Sequence, residues 1–156
     1  MTVDLLVVGK TEPEIAALVE IYTKRIGRYV RFSVIVIPAL RGGAMPEERQ
    51  KREEGELILR QLGVGDYVVL LDDKGSERTS MQFAAWLQRR MATGATKRLA
   101  FVMGGAYGFS QAVYARADEQ LSLSRMTFSH QIVRAIFAEQ LYRAFTILNG
   151  EPYHHE

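Results

Sequence analysis

An α/β fold, with a mainly parallel sheet flanked by helices, is what this sequence predicts. Short apolar runs rich in β-branched residues recur along it, at 3–9, 31–38, 66–72 and 98–103. Segments with helical spacing of apolar residues alternate with those runs, the pattern of a layered sheet. No internal repeat, linker or low-complexity tract interrupts residues 1–156, so one domain is expected over the whole length.

The first run, VDLLVVG, is apolar almost throughout and ends on Gly9, as a buried strand does. Thr11-Glu-Pro-Glu14 then has capping-box spacing with an early proline, and Ile15, Leu18, Val19, Tyr22 and Ile26 follow at helical spacing. RFSVIVIP, 31–38, is the second strand, and ALRGGAMP, 39–46, is a loop. A highly charged helix is expected from about 46 to 62. There Glu47 with Lys51, Glu48 with Arg52 and Glu56 with Arg60 are placed for i,i+4 pairs, while Leu57, Ile58 and Leu62 form an apolar end. The strand at 66–72 leads into a turn, DKGSE, and then a helix opened by Thr79-Ser-Met-Gln82, with Phe83, Trp86, Leu87 and Met91 on one face. RLAFVM is the fourth strand, and a short helix near 110–117 returns the chain to EQLSLS. The segment 130–148 is apolar on more than one face: Ile132, Val133, Ile136, Phe137, Leu141, Tyr142, Phe145, Ile147 and Leu148 are too many for one core stripe. That excess points to a partner subunit.

Composition narrows the function classes. Hydrophobic residues at 47% and charged residues at 24% fit a soluble globular protein, and no apolar run approaches the ~18 residues of a membrane span. MTVDLLVVGK has no basic region ahead of its apolar run, so it reads as a first strand and not a signal peptide, and a cytoplasmic protein is expected. The absence of cysteine excludes disulfides and thiolate nucleophiles and argues against structural zinc. A net charge of +2 is too small for the whole molecule to bind nucleic acid by charge alone. Any basic footprint is local. Lys24, Arg25, Arg28 and Arg31 form one cluster, and Arg89, Arg90, Lys97 and Arg98 another; each taken alone reads as a solvated helix end.

The most distinctive stretch is FVMGGAYGFS, 101–110, a strand that runs into Gly104, Gly105 and Gly108. Glycines there either turn the chain or let a ligand approach the backbone. The spacing fits neither G-x-G-x-x-G nor G-x-x-x-x-G-K-[ST], so no standard phosphate cradle is present. In a parallel sheet ligands collect at the carboxyl ends of the strands, where Leu71–Gly75, Gly104–Gly108 and Leu123–His130 are the chemically distinctive loops.

FVMGGAYGFS, LSLSRMTFSHQIVRAIFAEQLYRAFTI and the terminal PYHHE, with VVLLDDKG upstream, closely resemble the RlmH family of SPOUT-class RNA methyltransferases. The resemblance covers essentially the full length in order and spacing. It implies a sheet whose C-terminal part is threaded into a trefoil knot, a homodimer, and methylation of N3 of a pseudouridine in a stem-loop of 23S ribosomal RNA on assembled ribosomes. It implies S-adenosylmethionine as methyl donor, with family contacts falling on Leu71, Gly104 and the run Leu123, Ser124, Arg125, Met126, Thr127 and Phe128.

The residues suit that donor. It has no phosphates, so it needs an apolar slot and backbone hydrogen bonds to adenine; Leu71, Leu123, Met126 and Phe128 supply walls, and Gly104 with Gly105 lets backbone pass close to the methionine half. The acceptor N3 must lose a proton, for which a base or a stabilising cation is needed. His130, Arg134, Tyr153 and His154 are the candidates. Tyr153 could stack on a base and His154 contact phosphate or accept the proton, while His130 has a plainer alternative as the start of a helix and Arg134 as an ion-pair partner of Glu139; a metal at His154-His155 is argued against by the lack of accompanying ligands. His155 departs from the family, in which an Arg or Lys commonly follows the tail histidine. Three rivals are a SPOUT enzyme acting on another RNA, such as transfer RNA, a ribosome-binding assembly factor without chemistry, and a flavodoxin-like nucleotide binder, against which the missing phosphate signatures argue.

Overall fold

The computed structural model describes residues 1–155. The elements run β1 (Thr2–Val8), α1 (Pro13–Ile26), β2 (Arg31–Ile37), α2 (Glu47–Arg60), β3 (Tyr67–Glu77), α3 (Ser80–Ala92), β4 (Arg98–Met103), α4 (Gln111–Arg116), β5 (Glu119–Ser122) and α5 (Ile132–Leu148). All strand pairings are parallel, in the order β2-β1-β4-β3-β5.

Alternation along the strands builds two cores. Val3, Leu5 and Val7, with Leu99, Phe101 and Met103, face α1, α3 and α5; Leu6, Ala100, Val102, Val68 and Leu70 face α2 and α4. The first core is aromatic. Phe101 meets Phe137 at 4.7 Å between ring centroids, and Phe83 and Trp86 stack at 5.7 Å. Edge-on and offset rings of this kind contribute beyond their buried area.

Several expectations are corrected. Thr11 does not cap α1; the N-cap is Glu12, with Pro13 in the first turn, and the Thr11 hydroxyl instead accepts from Arg134 Nη1 at 2.8 Å. A distant buried guanidinium has displaced the local capping bond. The box at Thr79 does form, through Gln82 N–H to Thr79 Oγ1 at 3.1 Å and Thr79 N–H to Gln82 Oε1 at 2.9 Å. DKGSE is not a free turn but the end of β3, which breaks register between Leu71 and Ser76 and pairs again with β5. Gly75 allows that close approach, since a Cβ there would lie 2.6 Å from the Gln120 backbone. The fifth strand, inside EQLSLS, carries Glu119, whose carboxylate accepts from Tyr67 Oη (2.5 Å), Trp86 Nε1 (2.9 Å) and Arg78 Nη2 (2.8 Å). The ion pairs on α2 are Glu48–Lys51 and Arg49–Glu53, at 3.1 and 2.9 Å, rather than those expected from i,i+4 spacing of the other residues.

The apolar excess of α5 is used largely within the chain. Phe137, Leu141, Ala144 and Phe145 are buried against α1, α3 and the sheet, with Val133, Tyr142, Ile147 and Leu148 at the margin of the same core. A helix held between two others and a sheet is apolar on more than one face without any partner subunit. On α5 and the neighbouring α1 the exposed large apolar residues are Ile132 at 37%, and Leu18 and Ile21 at 38% and 47%.

Candidate functional site

Leu71 is in register with Met103 on one side and with Leu121 on the other, so β4 and β5 end near the register break of β3, which itself runs on to Glu77. Beyond these ends the loops converge on a cleft of about 300 Å³. Leu71, Gly104, Gly105, Leu123, Ser124, Met126, Thr127 and Phe128 line it, from three separated stretches of sequence. Arg125 does not. Its side chain is 89% exposed and pairs with Glu77 at 2.8 Å, outside the cleft.

The loop 122–130 is held by its own hydroxyls. Ser122 Oγ donates to the Ser124 carbonyl at 3.0 Å, Met126 N–H donates to Ser124 Oγ at 2.9 Å, and Ile132 N–H donates to Ser129 Oγ at 3.2 Å. Such bonds let short polar side chains replace a ladder. Met126 consequently stands 78% exposed on the rim.

In the glycine loop, the residue at positive φ is Gly108 (80°), whose N–H donates to the Gly105 carbonyl at 3.2 Å. Gly104 and Gly105 are glycines for space: a Cβ on Gly104 would lie 3.0 Å from Phe109 Cε1, and one on Gly105 would lie 2.5 Å from Glu54 Oε1. Gly105 N–H donates to that same oxygen at 2.9 Å. The glycine pair thus answers to neighbours within the protein as well as to the cleft.

His130 and Arg134 also stand in the wall. His130 is exposed and precedes α5; the hydroxyl that bonds the first turn is that of Ser129. Arg134 is only 3% exposed, and its guanidinium donates to the carbonyls of Val8 (2.8 Å), Gly9 (2.8 Å) and His130 (3.1 Å) and to Thr11 Oγ1 (2.8 Å). Burial pulls its pKa below the ordinary guanidinium range, with Glu12 acting in the opposite direction. The pairing of Arg134 with Glu139 does not form: residues five apart point to different sides of a helix, and Glu139 pairs instead with Arg143 at 2.7 Å.

Tyr153 and His154 lie away from this cleft in the same chain. Tyr153 packs on Tyr142 at 4.8 Å, Arg143 covers its ring at 4.8 Å, and Arg143 Nη1 is 3.1 Å from His154 Nδ1. Nine residues of helix, about 14 Å of rise, separate Arg134 from Arg143. Burial first, then a hydrogen bond with Tyr22, pushes the Tyr153 phenol up to about 12, so it is protonated at neutral pH. Among the described residues no group of three or more His, Cys, Asp or Glu is placed to hold a metal ion.

Two carboxylates, one in the cleft wall and one behind the glycine loop, escape a reading of the sequence. Asp72 lines the cleft and accepts from the Tyr114 hydroxyl and from Lys74 N–H at 3.2 Å. Burial acts to raise its pKa, yet these bonds hold it below the ordinary carboxylate range, so it is an anion at neutral pH. Glu54, on α2, is 6% exposed beneath the glycine loop. Its signal was the neighbouring Gly55, a glycine inside a helix, where a Cβ would lie 2.4 Å from Ser110 Oγ.

Residues 1–154 match the family model described as predicted SPOUT methyltransferase. The chain is 54% identical over 159 residues to a protein of Parabacteroides distasonis called ribosomal RNA large subunit methyltransferase H, with all of both chains covered. It is 53% identical over 157 residues to a protein of the same name from Christiangramia forsetii, with 99% of each covered. Among solved structures, a tRNA methyltransferase from Aquifex aeolicus is similar in fold, with a TM-score of 0.56 at 14% identity over all of this chain and 76% of that one.

Proposed function

The chain belongs to the SPOUT methyltransferase family, and on that premise we propose that it methylates N3 of a pseudouridine in a 23S ribosomal RNA stem-loop on assembled ribosomes. S-adenosylmethionine is the donor, and one SPOUT unit spans 1–156, with the strands and loops after β3 threaded as a trefoil knot. The observation that carries the reading is the meeting of eight donor-contact candidates, from three stretches of sequence, on one cleft at the carboxyl ends of β4 and β5 beside the register break of β3.

The cleft suits this donor chemically. Its walls are apolar at Leu71, Leu123, Met126 and Phe128, and Asp72 gives it a negative charge toward a cationic ligand. A phosphate has no comparable cradle here: the Ser110 side chain already occupies the start of α4, accepting from Val113 N–H. When bound, the donor supplies a methyl group activated by a positive sulfur. The protein then has to orient the acceptor, exclude water and take up the N3 proton. His130 is the imidazole in the cleft wall and takes the proton-acceptor role in this reading.

Tyr153 and His154 pack against the end of α5 remote from the cleft of their own chain, and a homodimer in which the tail reaches the partner's cleft accommodates both. There Arg143, Tyr153 and His154 would hold the RNA rather than the donor. The rivals differ in substrate or in chemistry. A tRNA substrate draws no support from the solved structure, whose likeness is one of fold, whereas relatives above half identity are named for ribosomal RNA. An assembly factor without chemistry would have no need of a preserved cleft. Mass spectrometry of ribosomal RNA from cells with and without the gene tests substrate and reaction together: loss of one methylated pseudouridine in 23S RNA is expected, and an unchanged modification pattern would refute the proposal.

A further inference from the structure

The molecule contains one carboxylate whose burial the reaction as read above does not use. Glu54 sits on α2, a helix that otherwise turns charges to solvent, yet it is 6% exposed. Its Oε1 accepts the Gly105 N–H at 2.9 Å, and the same oxygen would lie 2.5 Å from any Cβ at 105. Gly55, beside it, lets α2 approach the start of α4, since a Cβ there would meet Ser110 Oγ at 2.4 Å. Two adjacent residues thus bring one helix against both ends of the glycine loop.

We infer that Glu54 is a positioning residue for the donor-binding loop, holding the Gly104–Gly105 peptide in one orientation through a charge-assisted hydrogen bond. This rests on the reading of the cleft as the adenosylmethionine site. The peptide is planar and trans, so pinning the Gly105 N–H toward α2 directs the Gly104 carbonyl the other way. A flipped peptide would lose the carboxylate bond and turn a carbonyl oxygen against an anion, which excludes the alternative orientation. The loop needs such a tether, because glycines carry no side chains with which to anchor themselves.

Burial is the main influence on Glu54 and raises its pKa above the ordinary value of 4.5; the Gly105 bond, the charge of His130 and a hydrogen bond with Gln50 act the other way. A carboxyl group whose folded pKa is raised contributes stability below pH 4.5 that is lost as pH rises through the folded value. Ionising this group therefore costs the fold stability, as expected of a group retained for a site rather than for stability.

That separation makes the role testable. Glu54→Gln keeps the shape and removes the charge; Glu54→Ala removes the acceptor. Calorimetry with adenosylmethionine, thermal unfolding and amide hydrogen exchange at Gly105 are measured on the full chain. The Gln variant should unfold at or above the wild-type temperature while binding the donor about tenfold more weakly, and the Ala variant should also lose protection at the Gly105 amide. Gly105→Ala should bind more poorly than Glu54→Ala, and combining the two, which removes the atom that the new Cβ strikes, should raise affinity only to the level of Glu54→Ala. Wild-type affinity in Glu54→Gln and Glu54→Ala, or a fall in affinity matched by a fall in stability in both, would overturn the inference. If the wild-type protein takes up no adenosylmethionine, the reading of the cleft falls instead, and an unchanged Gly105 exchange rate in Glu54→Ala would still refute the tether.

Discussion

Arg134→Met separates a framework role from a catalytic one at the most buried candidate in the cleft wall. The guanidinium makes four hydrogen bonds, three of them to backbone carbonyls at the end of β1 and ahead of α5. Bonds to a charged group contribute roughly 1.5–3 kcal/mol each, so the gross loss is on the order of 6–12 kcal/mol. Much of that is returned, because a cation held without a carboxylate is costly to bury and Met fills a similar volume without charge. The net loss should be about 3 kcal/mol. For a chain of this size about 2–4 °C of unfolding temperature accompanies each kcal/mol, giving a fall of about 6–12 °C by calorimetry or circular dichroism. Arg134→Lys, which keeps the charge but cannot span three carbonyls with one planar fork, should fall between Met and wild type. Methyl transfer should decline in proportion to the loss of folded protein and recover at lower temperature. A Met variant that melts within about 1 °C of wild type and is nonetheless inactive would refute this reasoning and return Arg134 to the reaction itself.

Asp72→Asn should weaken adenosylmethionine binding while leaving affinity for the neutral product S-adenosylhomocysteine less affected, as competition calorimetry would show; equal losses would remove Asp72 from any role toward the sulfonium. Glu119→Gln should destabilise the protein at pH 7, because Tyr67, Trp86 and Arg78 overcome burial and hold the Glu119 pKa below 4.5. A depressed pKa contributes stability above the unfolded value that is lost as pH falls through the folded one, so the difference from wild type should close in acid, and a pH-independent difference would contradict the assignment. Truncation after Gly150 should preserve donor affinity and abolish methylation. Mixing that truncation with Gly105→Val, each inactive alone, should restore part of the activity if the tail serves the partner's cleft, and no restoration would place the tail's action within its own chain.

Legibility in the sequence followed the range of the interactions. Four strands and the helices were readable because VDLLVVG, RFSVIVIP and RLAFVM are apolar runs and because Phe83, Trp86 and Leu87 repeat at helical spacing. β5 was not, since EQLS looks polar until Tyr67, Arg78 and Trp86, far away in the chain, satisfy its glutamate. Thr11 shows the same limit: its spacing to Glu14 is visible, but its actual partner is 123 residues away. The cleft was legible as three loops, while the outward turn of the Arg125 side chain was not, because a contiguous run does not say which side chains turn outward. Glu54 was hidden among the many charges of α2, where its neighbour Gly55, a glycine inside a helix, was the only local mark.

β4 lies between β1 and β3 and is made after both. As the chain leaves the ribosome, β1 and β2 can pair early, but β3 has no neighbour until residues 98–103 have followed it. Until then two apolar strand edges face water, with α2 and α3 already synthesised beside them. Parallel pairings between such distant segments close slowly, and open edges invite pairing with other chains. Conditions that lengthen the pause between residue 77 and residue 103 should therefore lower the soluble yield of this protein without altering the stability of the molecules that do fold.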